Sequence, residues 1–161
     1  MANTSRVFEA IRQTKARLEA QSWPPNPQTG ETPHICRWGA DYGVHGEIIQ
    51  VGQSEVGDDS SITWQRLPGG RDEVFSIDIG IGQNTGEMDE DAISNRTEEL
   101  ADVVQRAFFD DATKTIIPLG MPEALKLEGV SSVSHVQPFH DPDAGALIAG
   151  AVIRYTVQFR I

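Results

Sequence analysis

Histidine, cysteine and aspartate side chains are the groups of this chain most suited to holding a metal ion. They fall into two sets along the sequence: His34, Cys36 and His45, and His135, His140, Asp141 and Asp143. Structural zinc sites usually draw on two separate pairs of ligands, each pair two to four residues apart, and neither set has that spacing. The stretch from Asp141 is similar to the start of a calcium-binding loop, but Val152 stands where the bidentate Glu is required. The sequence therefore predicts no metal site.

A glycine-rich stretch at residues 80–86 lies between a predicted strand and a predicted helix, as a dinucleotide-binding loop would. Its spacing is GxGxxxG rather than GxGxxG. The following helix start, which would have to attract a pyrophosphate, is instead acidic. It carries Glu87, Asp89, Glu90 and Asp91. We therefore interpret residues 80–86 as a turn and predict no cofactor.

Nucleophilic catalysis has no recognisable sequence signature here. The chain lacks GxSxG, HExxH and GxxxxGK[ST], and no motif around Cys36 would activate its thiol. Two carboxylates brought together by the fold could still carry out acid–base chemistry, which the sequence leaves open. The expectation is a protein that is not an enzyme.

Composition narrows the class of protein further. The 161 residues, 39% hydrophobic and 23% charged, are typical of one folded domain spanning 1–161. The net charge of −11 argues against a surface that binds nucleic acid. A negatively charged channel would nevertheless let a DNA duplex pass through it without being bound. The N-terminal residues do not resemble a secretion signal, and no apolar run is long enough for a membrane span. We expect no membrane partner.

Periodicity predicts an α+β fold with two helices packed on a mainly antiparallel sheet, in the order αβββαββ. The first helix is predicted at residues 5–20, where the helical spacing is kept by Val7, Phe8, Ile11, Lys15 and Leu18. The second is predicted at residues 89–110, with one stripe formed by Ile93, Thr97, Leu100, Val104, Ala107 and Phe108. The strands are predicted at 44–53, 62–67, 73–82, 127–138 and 146–161. In the third of these, alternation places Ile77, Ile79 and Ile81 on the core side.

Residues 22–43 are rich in proline and glycine and predict a long loop without regular structure. Three large aromatic residues lie in it: Trp23, Trp38 and Tyr42. These residues either fold back over the edge of the core or anchor a partner protein, since Trp and Tyr dominate interface hot spots. The two interpretations are compatible.

With this layout, the chain resembles the tail terminator proteins of long-tailed bacteriophages, the minor tail protein U family. The resemblance rests on the N-terminal helix, the strand and hairpin, the acidic-capped helix DEDAISNRTEELADVVQRAF, and the closing strands ending in AGAVIRYTVQFRI. It implies a structural virion protein, assembled in the host cytoplasm, that forms a homo-oligomeric ring, commonly a hexamer. Such a ring ends growth of the tail tube and provides the joint to the head connector, with the tail tube protein and a connector or stopper protein as partners.

In such a ring the acidic residues Glu87, Asp89, Glu90 and Asp91 would suit a lumen through which DNA passes without specific binding. Head–tail stopper or adaptor proteins and tail tube proteins are the alternatives within phage biology. A cytosolic ligand-binding α+β domain is the alternative from a different class, and it would carry a well-formed apolar pocket.

Overall fold

The α+β prediction is confirmed by the computed structural model, which describes residues 7–37, 46–52, 63–67, 70–84, 89–117, 119, 124–141 and 146–160. The elements within these residues are α1 (Val7–Glu19), β1 (His34–Arg37), β2 (Glu47–Gly52), β3 (Thr63–Leu67), β4 (Gly70–Asn84), α2 (Glu90–Phe108), β5 (Phe109–Asp110), β6 (Thr115–Ile116), β7 (Ala124–Asp141) and β8 (Ala146–Arg160). The main elements follow the predicted order, and β1 and the short β5–β6 pair are additional.

Helix α1 buries one stripe of small and apolar side chains against the sheet: Val7, Ala10, Thr14 and Leu18. This spacing is the one expected of an amphipathic helix. The predicted stripe was wrong at Phe8, whose side chain is 68% exposed. Phe8 lies about 100° around the helix from Val7, which is enough to carry it from the buried stripe onto a flank.

Helix α2 begins where Asp89 caps it. Asp89 has extended backbone, and its side chain accepts a hydrogen bond from the Ala92 amide. The predicted apolar stripe is confirmed, because all its members are buried: Ile93, Thr97, Leu100, Val104, Ala107 and Phe108. The helix ends at Phe108, since Phe109 takes extended backbone and starts β5. The predicted C-terminal boundary at residue 110 was therefore two residues too long.

The main sheet has the strand order β1-β2-β4-β8-β7, and β3 also pairs with β4. All its pairings are antiparallel except that of β1 with β2. Strand β8 pairs along one side of β4 over residues 72–84. Strands β3 and β2 therefore share the other side of β4, with β3 beside its first residues and β2 beside its last. Helix α1 lies over β1 and β2, whereas α2 lies over β4, β7 and β8. The hydrophobic core fills the space between the helices and the sheet.

Strand β4 shows the predicted alternation, but it continues to Asn84, so the interpretation of residues 80–86 as a turn was wrong at residues 80–84. Ile77, Ile79 and Ile81 are buried in the core, and Ile153 of β8, which pairs with Ile79, joins them. The opposite positions of β4 are also closely packed: a Cβ atom at Gly82 would lie 3.0 Å from Cγ2 of Ile48 on β2. Glycine at this position lets β2 and β4 pair with a branched side chain between them.

The stretch predicted as a loop at 22–43 contains β1, so that prediction was wrong at residues 34–37. Ile35 and Cys36 pair with Ile49 and Gln50 of β2 in a parallel arrangement. A four-residue strand with no alternating pattern gives no local signal, because its stability comes from hydrogen bonds to a strand distant in sequence. Residues 38–43 lie outside the described residues.

Candidate functional site

A buried ion pair joins α2 to β2. Arg96 donates from Nε to Oε1 of Glu47 at 2.7 Å and from Nη2 to Oε2 at 2.8 Å. Both side chains are almost fully buried, at 2% and 5% exposed. This two-point geometry is the strongest form of a guanidinium–carboxylate contact, and both charges depend on it because neither has access to bulk water.

The segment after α1 is attached to the same pair. Arg96 Nη2 also donates to the Pro24 carbonyl oxygen at 2.8 Å, and Asn26 Nδ2 donates to Glu47 Oε1 at 2.6 Å. Asn26 is itself buried, and its Oδ1 accepts the backbone amide of Gln28 at 2.8 Å. The cluster of Arg96, Glu47 and Asn26 therefore fixes the proline-rich segment against both β2 and α2.

Opposing effects act on the charge of Arg96. Burial disfavours the guanidinium and lowers its pKa, but hydrogen bonds to Glu47 and Glu99, together with the attraction of both carboxylates, outweigh that effect. The net result is a raised pKa for Arg96. The guanidinium stays protonated, so Arg96 serves as a fixed positive charge in the cluster.

A small polar pocket of about 100 Å³ opens beside the cluster. Its lining comes from the Asn26 turn, β1 and the start of β2: Asn26, Thr29, Glu31, Thr32, His34, Gly46 and Glu47. Pockets for small-molecule ligands are usually apolar and have volumes of roughly 300–1,000 Å³. This pocket is smaller and polar, so it does not favour the ligand-binding alternative.

Trp23 lies at the end of α1, partly buried against the hydrophobic core. Its indole Nε1 donates to the Leu18 carbonyl oxygen at 2.8 Å, and the Gln21 amide donates to the same oxygen at 3.2 Å, so both groups cap the C-terminus of the helix. The residue thus covers the edge of the core, as one of the two sequence interpretations expected. A partner role for Trp23 stays a prediction, and Trp38 and Tyr42 lie outside the described residues.

The acidic cluster splits into residues with different surroundings. Asp89 is occupied as the N-cap of α2, with Oδ1 accepting the Ala92 amide at 2.7 Å. Glu90 and Asp91 are exposed in the first turn, where the positive end of the helix dipole stabilises carboxylates. Glu87 lies outside the described residues. The structure therefore gives Asp89, Glu90 and Asp91 a local stabilising role at the start of α2. Their assignment to a lumen stays a prediction.

Sequence reasoning missed the Arg96–Glu47 pair. Arg96 stands between Ile93 and Leu100 on the buried side of α2, so its helical position was a signal, but its partner lies 49 residues away. Among the described residues no group of three or more His, Cys, Asp or Glu side chains could hold a metal ion, and His45 and Asp143 of the ligand sets considered from sequence lie outside those residues. In the same part of the chain, no helix is long and apolar enough to cross a membrane.

Comparison with known proteins gives no match: no protein-family model fits the chain, and no curated protein sequence is significantly similar to it.

Proposed function

We propose that this chain is a structural virion protein of the tail terminator class, which forms a ring at the head-proximal end of a phage tail tube. The ring ends polymerisation of the tube and provides the joint to the head connector. The observation that carries the proposal is the layout of elements, two helices on a mainly antiparallel sheet with an acidic-capped second helix and two long closing strands. That layout is the one on which the resemblance to tail terminators rests.

Two further properties support this proposal. The net charge of −11 suits a protein that surrounds DNA without binding it, because the negative field opposes adhesion of phosphates. The charges of Arg96 and Glu47 are used for internal support, since the two buried groups neutralise each other. A role in assembly requires rigid surfaces rather than a reactive centre, and the cluster provides such rigidity beneath α2.

Deletion of the gene in the phage that encodes it tests the proposal directly. The expected result is overlong tail tubes without attached heads in electron micrographs, with normal length restored by the wild-type gene. Adding the purified chain to tubes growing in vitro should stop their elongation. Tails of normal length joined to heads would contradict the proposal.

The same experiments separate the alternatives. A stopper or adaptor would leave tails of normal length that fail to join heads. A tail tube protein would polymerise into filaments by itself and leave no tubes when deleted. A ligand-binding domain would stay monomeric at all concentrations and leave tail assembly unaffected.

A further inference from the structure

One flank of α1 carries an aromatic and basic stripe. Phe8, Arg12, Lys15 and Glu19 recur at the spacing i, i+4, i+7 and i+11, which places them along one line of the helix. Phe8 is the large apolar side chain exposed among the described residues, and Arg12 is exposed without an ion pair to any of them. Lys15 forms an ion pair with Glu19. We call this stripe the basic flank.

The basic flank faces away from α2. Arg17, on the same helix, reaches toward α2: its Nη1 donates to the Ile117 carbonyl oxygen at 3.0 Å, and its guanidinium lies 5.3 Å from the centre of the Phe108 ring. Phe8 precedes Arg17 by nine residues, a rotation of about 180° around an α-helix. Since α1 lies over β1 and β2, the basic flank faces out beyond the β1 edge of the sheet.

One flank of α2 carries a stripe of opposite charge. The exposed residues Asp91, Asn95, Glu98 and Asp102 repeat the spacing i, i+4, i+7 and i+11. Asp91 and Glu98 have no ion pair with any described residue, while Asp102 accepts from Arg106 at 3.3 Å. We call this stripe the acidic flank.

The acidic flank faces away from α1. Arg96 marks the side of α2 that faces β2 and the segment after α1, because it binds Glu47 and the Pro24 carbonyl oxygen. Asp91 and Glu98 lie about 140–160° around the helix from Arg96. Asp91 and Glu98 also lie about 140–180° around the helix from Ile93 and Leu100, which are buried beneath α2, so the acidic flank faces away from the sheet.

We propose that the basic flank of one copy docks on the acidic flank of the next copy, and that this contact joins neighbouring subunits of the ring. The proposal rests on the proposed function and names its intersubunit contact. A closed ring of identical subunits joined head to tail uses two different, complementary patches on each subunit, and the basic and acidic flanks are two such patches. Opposite charge selects a second copy over nucleic acid, which the acidic flank repels.

The two kinds of group make different contributions. Exposed ion pairs are weak and screened by salt, so Arg12 and Glu98 set the orientation and the association rate more than the affinity. Burial of the Phe8 ring supplies the apolar part of the contact. This assignment places Asp91 between subunits instead of in the lumen.

Cysteine cross-linking tests the contact. The variant R12C/E98C, and R12C/D91C as a second pair, is oxidised in solution over a range of concentrations and on tail tubes taken from the deletion phage. Cys36 is buried and stays in place. A ladder of cross-linked oligomers in the double variants but in neither single variant is the expected result. Absence of the ladder both in solution and on tubes overturns the proposal.

Charge reversal gives the second readout, by sedimentation velocity and by tail length after complementation. R12E and E98R are each expected to weaken self-association roughly tenfold, because each reversal places like charges opposite one another across the contact. The double variant R12E/E98R should restore most of it, because positions 12 and 98 then carry opposite charges again, with their signs exchanged. K114E, at the 75% exposed Lys114, is the matched control for R12E and should have no effect. F8S should weaken association in both assays while circular dichroism shows an unchanged fold.

The outcomes separate this contact from the proposed function. If deletion gives overlong tails but R12E and E98R assemble and complement normally, the contact is wrong and the terminator proposal stands. If deletion leaves tails normal while the cross-links form, the contact stands and the terminator proposal fails.

Discussion

Arg96 of α2 and Glu47 of β2 are joined at two points, with N–O distances of 2.7 and 2.8 Å, in a site closed to solvent. The pair connects a helix and a strand 49 residues apart and also holds Asn26 and the Pro24 carbonyl oxygen. The relative position of α1, α2 and the sheet therefore depends on a polar contact as well as on the hydrophobic core.

Glu47→Gln is expected to destabilise the fold strongly, because it removes the buried countercharge of Arg96 and leaves only the half-exposed Glu99 to pair with it. Breaking such a pair on one side costs about 3–5 kcal/mol. Urea unfolding followed by circular dichroism measures the loss. The double variant E47L/R96M, which removes both charges, should lose less stability than E47Q, and an E47Q protein as stable as the wild type would contradict this account.

Asp89→Ala is expected to reduce stability by roughly 1 kcal/mol, since the Ala92 amide loses its acceptor at the start of α2. Glu90→Ala is the matched control, because Glu90 lies in the same turn without a side-chain hydrogen bond to any described residue. Thermal unfolding of the two variants measures the difference. Equal melting temperatures would show that the cap contributes nothing beyond the helix dipole.

Asp110 gives stability a dependence on pH. Backbone hydrogen bonds from Ala112 and Thr113 stabilise its carboxylate and lower its pKa. Since the folded pKa is lowered, this contribution is complete above the ordinary Asp pKa and is lost as the pH falls through the folded value. The stability difference between wild type and D110N should therefore be largest at neutral pH and disappear in acid.

Urea unfolding at a series of pH values measures that difference, and an NMR titration of the Asp110 carboxyl measures the pKa. Asp111→Asn is the control, because Asp111 is exposed and contacts Lys114 at 3.5 Å. A D110N difference that grows toward acid pH would be the opposite of the expected sign.

Trp23→Phe is expected to lower stability by about 1 kcal/mol, because the phenyl ring keeps the apolar contact but cannot donate to the Leu18 carbonyl oxygen. Chemical denaturation gives the change. If Trp23 serves only a partner protein, the isolated W23F chain should unfold at the wild-type denaturant concentration.

Local pattern was enough to predict the two helices, the five longest strands and the buried faces of α2 and of residues 77–81 in β4. Ile77, Ile79 and Ile81 follow the two-residue period of a strand, and Ile93, Leu100 and Val104 follow the period of a helix, so each can be recognised without knowing its neighbours. The Asp89 cap belongs to the same class, because its partner is three residues away.

Other features were decided only by the tertiary structure. Strand β1 forms because β2 pairs with it. Arg96 can be buried because it forms an ion pair with Glu47. Phe8 is exposed because α1 packs Val7 and Leu18 against the sheet. Each of these outcomes depends on groups that are distant in sequence, and hydrogen bonds, ion pairs and burial between such groups leave no periodic trace in the chain. The sequence by itself thus determined the two helices and the five longest strands, whereas tertiary pairing added β1 and packing determined which charges are buried and which flanks face outward.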